Sequence, residues 1–357
     1  MGAIDRQIKE TFFSSCIVDK DNLYFFSDGT FKPIKYNLNT NIAEYLVPDD
    51  HLSDFQNGNP EKVFLYEDYI FVVKNTGDEI IRISLKDRSI DKVQIGASYL
   101  QTDNFALITL FKNTILCFCR TISKVIIMDC ESLEVKEQEL ISVSEGGYKI
   151  GSVYEDYVYL FPKSGDAFLL YDLDEKTYRQ QHLGENLDCV SNIAVANMYL
   201  YILERSGKLS VFNRNSYELI KSVKVGKKAE YGFIATCSRG LVLLPSLGEN
   251  IKIVDSLLDT FYVYNEYPSD FFYKEVSGKS KYFFPTEDEN YFYFAKRLAN
   301  YILKVDKDNG ELIWIKIAAV VSELFIVSEL KKKKFIYENK ENKHLIEYLS
   351  IIKKGLI

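Results

Sequence analysis

The sequence predicts an all-β fold, a β-propeller of four-stranded antiparallel blades. Eight blades are favoured by repeat count, with seven the alternative. Three observations carry this. A phrase exemplified by residues 157–178, YVYLFPKSGDAFLLYDLDEKTY, recurs along the chain: two alternating apolar runs flank a turn, and an Asp or Asn closes the second run. Each such pair is preceded by one more short apolar run and followed by a more polar one, so a unit holds four strand-like runs, A to D. The units recur at roughly 40–50 residues, the period of a four-stranded blade.

Strands are favoured over helices because the runs are short, alternate with period two and are rich in Val, Ile, Tyr and Phe. Gly, Asn, Asp, Ser and Lys cluster between them, as hairpin turns require. Runs such as FLLY (168–171) and LVLL (241–244) are apolar on both faces. A blade packed between two neighbours explains this, whereas a sheet with one wet face does not.

In chain order, the units begin near residues 13, 60, 105, 149, 191, 231, 280 and 322, so residues 1–357 read as one propeller domain. The A runs are SSCIVD, KVFLYED, FALITLF, IGSVYED, SNIAVAN, GFIATCS and KYFFPTE. In the tail, LFIVS and KFIYE read as an eighth A–B hairpin. Residues 342–354 fit a short C-terminal helix as well as a strand, with Asn342 as its cap and Gly355 past its end. Residues 4–12 are the candidate strand to pair into the last blade and close the ring.

One unit carries a fuller motif. ILKVDKDNGELIWI (302–315) has an apolar strand, Asp306, the turn residue Gly310 and then Trp314. It resembles the repeat of pyrroloquinoline-quinone-type propellers. The looser ending seen at Asp172, Asn213 and Asp255 is similar to kelch-like repeats as well. The resemblance implies the fold and transfers no catalytic residue. The quinone enzymes of that type carry adjacent cysteines, and here no two cysteines are adjacent, so no cofactor is expected.

Charge and composition bound the partners. The net charge of −7, with 27% charged residues of mixed sign, argues against a nucleic-acid or anionic-membrane binder. No run is apolar for long enough to span a bilayer, so membrane insertion is not expected. The six cysteines form no C-x-x-C motif and sit mostly in apolar runs, which reads as buried free thiols in a cytoplasmic protein. Cys117 and Cys119 fall on one face of a strand, a weak metal signal without a second ligand pair.

The face carrying the B–C turns and D–A loops surrounds the mouth of the central channel. At or just after the end of run B stand Lys74, Arg120, Lys163, Arg205 and the pair Lys296-Arg297, so Lys74, Arg120, Lys163, Arg205 and Arg297 are candidates to converge on an anion. The long D–A loops 47–60 and 265–280 add His51, Asp49, Asp50 and Asp54 in the first, and Tyr267, Asp270, Phe271, Phe272 and Tyr273 in the second. The only histidines, His51, His182 and His344, lie in different units. There is no phosphate loop, zinc signature or G-x-S-x-G. The expectation is therefore a non-catalytic scaffold that recognises a protein, peptide or anionic glycan at the channel mouth. The alternative is an enzyme, a lyase or hydrolase acting on a sugar or peptide at that mouth.

Overall fold

The structure, a computed structural model, describes residues 13–27, 33–40, 42–47, 60–74, 79–95, 105–246, 250–271, 286–295 and 301–316. They form seven four-stranded antiparallel sheets, each in the simple order A–B–C–D. Blade 1 is β1 (Phe13–Asp19), β2 (Asn22–Ser27), β3 (Ile34–Asn37) and β4 (Ile42–Tyr45). Blade 2 is β5 (Pro60–Tyr66), β6 (Tyr69–Lys74), β7 (Glu79–Ser84) and β8 (Ile90–Gln94). Blade 3 is β9 (Phe105–Phe111), β10 (Thr114–Cys119), β11 (Lys124–Asp129) and β12 (Val135–Glu139). Blade 4 is β13 (Ile150–Tyr154), β14 (Tyr157–Phe161), β15 (Gly165–Asp172) and β16 (Tyr178–Leu187). Blade 5 is β17 (Val190–Ala196), β18 (Tyr199–Glu204), β19 (Lys208–Asn213) and β20 (Leu219–Lys224). Blade 6 is β21 (Tyr231–Cys237), β22 (Gly240–Pro245), β23 (Ile251–Asp255) and β24 (Phe261–Tyr264). Blade 7 is β25 (Thr286–Glu287), β26 (Tyr291–Ala295), β27 (Tyr301–Asp306) and β28 (Leu312–Lys316).

The A strands sit side by side around the centre: β1 lies against β5 on one side and β25 on the other, β9 against β13, β13 against β17 and β17 against β21. The direct contact of blade 1 with blade 7 closes the ring at seven, which corrects the expectation of eight. Cys16, Leu23, Phe25 and Tyr36 of blade 1 share a core with Tyr293 and Ile302 of blade 7. A tail hairpin has the same local pattern inside or outside the ring, so counting hairpins overcounts blades. That hairpin, the helix expected at 342–354 and the closing strand expected at 4–12 lie outside the described residues. Among the described residues there is no helix.

Each B strand feeds two cores. In β10, Ile115, Cys117 and Cys119 enter the core between blades 2 and 3, while Leu116 and Phe118 enter the one between blades 3 and 4. In β18, Leu200 and Ile202 face blade 4, whereas Tyr201 and Leu203 face blade 6. The period-two alternation of a strand thus distributes apolar side chains to both neighbours. Seven such junctions account for the doubly apolar runs.

The Asp or Asn that ends the C strand in blades 1, 3, 4, 5 and 7 has a local task. Its side-chain oxygen accepts the N–H groups two and three residues on: Asn39 and Thr40 for Asn37, Glu131 and Ser132 for Asp129, Asp174 and Glu175 for Asp172, Asn215 and Ser216 for Asn213, and Asp308 and Asn309 for Asp306. This Asx cap satisfies turn donors that the ladder cannot reach. The residue four places after the cap takes a left-handed backbone at Leu133, Lys176, Tyr217 and Gly310 (φ 60°, 52°, 58° and 73°). Gly310 is the one glycine at this place and adopts the conformation without a Cβ penalty. A Cβ there would also stand 2.9 Å from Cys237 Sγ.

Two outcomes are expected. Phe118 is fully buried and packs edge-on against Tyr171 at 5.1 Å, so Phe118→Ala should lower stability by about 3–5 kcal/mol in urea unfolding. The N–H of Ser132 holds the Asp129 carboxyl below the usual carboxylate range. A depressed folded-state pKa contributes stability that is present above the unfolded value, about 3.9, and is lost as the pH falls through the folded value. Asp129→Ala should therefore cost about 1 kcal/mol at pH 7 and much less in strong acid, read from unfolding midpoints at the two pH values.

Candidate binding face

In blades 3, 4 and 5 the B–C turn and the chain leading from the D strand into the next blade meet on one face. Backbone bonds stitch them together: Tyr148 N–H donates to the Arg120 carbonyl (2.9 Å), Val190 N–H to that of Lys163 (2.8 Å) and Ala229 N–H to that of Arg205 (2.7 Å). What recurs at the three positions is a main-chain anchor that any residue can supply. The cationic side chains are carried on rigid main chain.

Those side chains have different surroundings. Lys74 is buried, 3% exposed, and forms an ion pair with Glu79 at the start of strand C. Arg120 is half-buried and donates through Nη2 to the Phe105 carbonyl at 3.0 Å. Lys163 and Arg205 are exposed. Arg297, His51 and Tyr273 lie outside the described residues.

Strand register explains the split. Lys74 stands opposite Pro60 in blade 2, and the residue at the same place in blade 5, opposite Val190, is Glu204. Arg205 is one residue further on. At this boundary a step of one residue moves a side chain from the interior to water. Glu204 is 5% exposed and pairs with Lys208 at 3.7 Å, and Lys208 also holds Glu185 at 2.5 Å. Burial pushes the Glu204 carboxyl up, and Lys208 opposes that. Blades 2 and 5 thus carry the same buried B–C ion pair with its signs exchanged.

The described start of the second long loop, residues 265–271, docks on blade 7. Tyr267 and Phe271 pack at a tilt against Trp314 with ring centroids 5.3 and 5.0 Å away, and Asp270 accepts from Tyr301 Oη and Lys316 Nζ, both at 2.6 Å. The Lys316 ammonium, then the Tyr301 hydroxyl, holds the Asp270 carboxyl low. These aromatics brace the rim where blade 6 leads into blade 7.

One polar group was missed in the sequence. Lys62 belongs to the inner strand of blade 2, and desolvation pulls its amine below the ordinary lysine range despite the opposing charge of Glu287 in blade 7. Its signal was a lysine within the apolar run KVFLY. Among the described residues, no three His, Cys, Asp or Glu side chains group to hold a metal, and no helix is long and apolar enough to cross a membrane. None of the six cysteines forms a disulfide. Burial raises the Cys119 and Cys130 thiols to about 12.

Ring, blade order and face together define a β-propeller protein. No family model and no curated protein matches the chain. Among solved structures it is similar to the computationally designed Ika8 protein (10% identity, TM-score 0.58, 88% of this chain and 91% of that one). It is also similar to BamB from Moraxella catarrhalis (12%, 0.54, 80% and 82%) and to the Pan2 WD40 domain of Neurospora crassa (11%, 0.56, 84% and 92%). At these identities the likeness is one of fold.

Because Glu79 would keep only a 3.4 Å bond from Gln94 Nε2, Lys74→Met should cost about 2–3 kcal/mol. Adding Glu79→Met should recover most of that loss in thermal denaturation.

Proposed function

We propose that this propeller is a non-catalytic binding scaffold whose channel-mouth face recognises a protein, peptide or anionic glycan. The observation that carries the reading is the pair Lys163 and Arg205. Both are exposed, and both stand on B–C turns whose carbonyls are anchored by the neighbouring chain. Cations on a rigid frame lose little freedom when they engage an anion, which favours recognition. Lys74 and Arg120, engaged with Glu79 and with the Phe105 carbonyl, shape the rim of the face. His51, Tyr273 and Arg297 complete the proposed contact set. The reading takes residues 1–357 as one domain in a reducing, cytoplasmic setting, in keeping with six cysteines that form no disulfide.

The enzyme alternative has one observation in its favour, the desolvated Lys62 amine of the inner strand, since a lysine of lowered pKa is a competent nucleophile. Borohydride trapping of a carbonyl compound on Lys62 would favour it over the scaffold reading.

The test titrates acidic peptides and heparin oligosaccharides against the protein by calorimetry, at low and high salt. Lys163→Glu with Arg205→Glu should weaken binding at least about tenfold, and salt should weaken the parent protein's binding. Binding that is indifferent to both substitutions and to salt removes the proposal.

A further inference from the structure

The outer rim is not uniform. Nine large hydrophobic side chains stand exposed among the described residues, and seven of them fall between 198 and 263, in blades 5 and 6. Their centre is β24, the outermost strand of blade 6, where Phe261, Tyr262 and Val263 are 44%, 53% and 38% exposed. An exposed sheet edge offers unpaired backbone groups, and charges on the edge strand ordinarily keep other chains away. The D strands IAEY, IDKVQ, VKEQE, YRQQHLGENL, LIKSVK and LIWIK all carry charge, whereas the β24 sequence FYVY carries none. Of the flanking acids, Asp259 pairs with Lys221 and Asp270 with Lys316, while Glu266 stands exposed two residues beyond the strand.

Backbone register decides which groups face out. Asp255 N–H donates to the Thr260 carbonyl at 3.3 Å, and the antiparallel ladder continues through Ile253–Tyr262 and Ile251–Tyr264. Bonded and non-bonded pairs alternate in such a ladder. Tyr262 and Tyr264 therefore turn their N–H and C=O groups toward β23, and Phe261 and Val263 turn theirs outward. Among the described residues no further strand pairs with this edge.

We propose that β24 is a dimerisation strand: two copies of the chain pair edge to edge, antiparallel, about a two-fold axis through Tyr262. The register favours a second copy as the occupant. With the axis at Tyr262, Phe261 of each copy faces Val263 of the other. These are the two residues with outward backbone groups, so each pair exchanges both of its bonds. Tyr262 meets its own counterpart in the closer, non-bonded position, where aromatic cross-strand contacts are favourable. Outside this core Thr260 faces Tyr264, Asp259 faces Asn265 and Leu258 faces Glu266, so no like charges are opposed. The interface is isologous and closed, and it joins the two sixth blades into one continuous sheet. It lies on the outer rim and leaves the proposed binding face open.

The full chain should run as a dimer at micromolar concentration in light scattering coupled to size exclusion. Val263→Pro removes an outward N–H without touching the ladder to β23, and should raise the dimer dissociation constant at least about tenfold while the far-UV circular dichroism is kept. Tyr262→Cys tests the axis without depending on that variant. The opposed Cα atoms of a non-bonded antiparallel pair lie about 4.5 Å apart, within disulfide reach, so mild oxidation should give a covalent dimer. Leu219→Cys on β20 and the parent chain should give none. A monomeric parent chain overturns the proposal. So does a dimer that survives Val263→Pro and leaves Tyr262→Cys uncrosslinked. A monomer whose β24 becomes protected from hydrogen exchange only when another protein is added also overturns it, assigning the edge to a different partner.

Discussion

The structure depends on burying both faces of every small sheet. An isolated four-stranded sheet of this size cannot cover its own apolar surface, and here each is covered by the sheets on either side. Alternation along one strand does the sorting: Ile70 and Val72 join the core with blade 1, and Phe71 and Val73 the core with blade 3. Ring closure follows from the same requirement. The outward face of blade 1 would be left wet if Tyr293 and Ile302 of blade 7 did not meet it. Sequence identities of 10 to 12% with other propellers become intelligible on this basis, because junctions of this kind ask for apolar alternation and volume far more than for particular residues.

Turn chemistry supplies what the junctions leave undetermined. Each C–D connection must reverse the chain in few residues while its donors remain bonded. The recurring Asp or Asn does this, and the left-handed residue after it lets the D strand rejoin the ladder. Leu133, Lys176 and Tyr217 accept that conformation at a steric cost that the surrounding bonds hold in place, and Gly310 accepts it freely. The fuller motif of the last unit is thus the least strained version of a turn that the other blades make with less suitable residues.

The candidate face shows how far a sequence can be read before register matters. The cations after run B were visible as a recurrence, but what the fold uses at Arg120, Lys163 and Arg205 is the main-chain carbonyl, which any residue can supply. Which cations meet water was not visible. Lys74 and Arg205 look equivalent in an alignment that slips by one residue, yet one lies inside a blade beside Glu79 and the other stands in solvent. Lys62 escaped notice for a related reason. Its lowered amine comes from burial within the ring, which Glu287 of distant blade 7 only opposes. The uncharged edge of β24 was legible as four letters, but nothing local marked it as the outermost strand of its sheet.

By itself the sequence determined the strand class, the four-strand unit and the turn residues, because period-two alternation, Asx capping and left-handed turns act over a few neighbouring residues. Only the tertiary structure decided that the ring closes at seven, which B–C charges are held in ion pairs and which stand in solvent, and which edge is left uncharged and open. Those outcomes depend on contacts between residues far apart in the chain and on a one-residue register, and neither leaves a local signature.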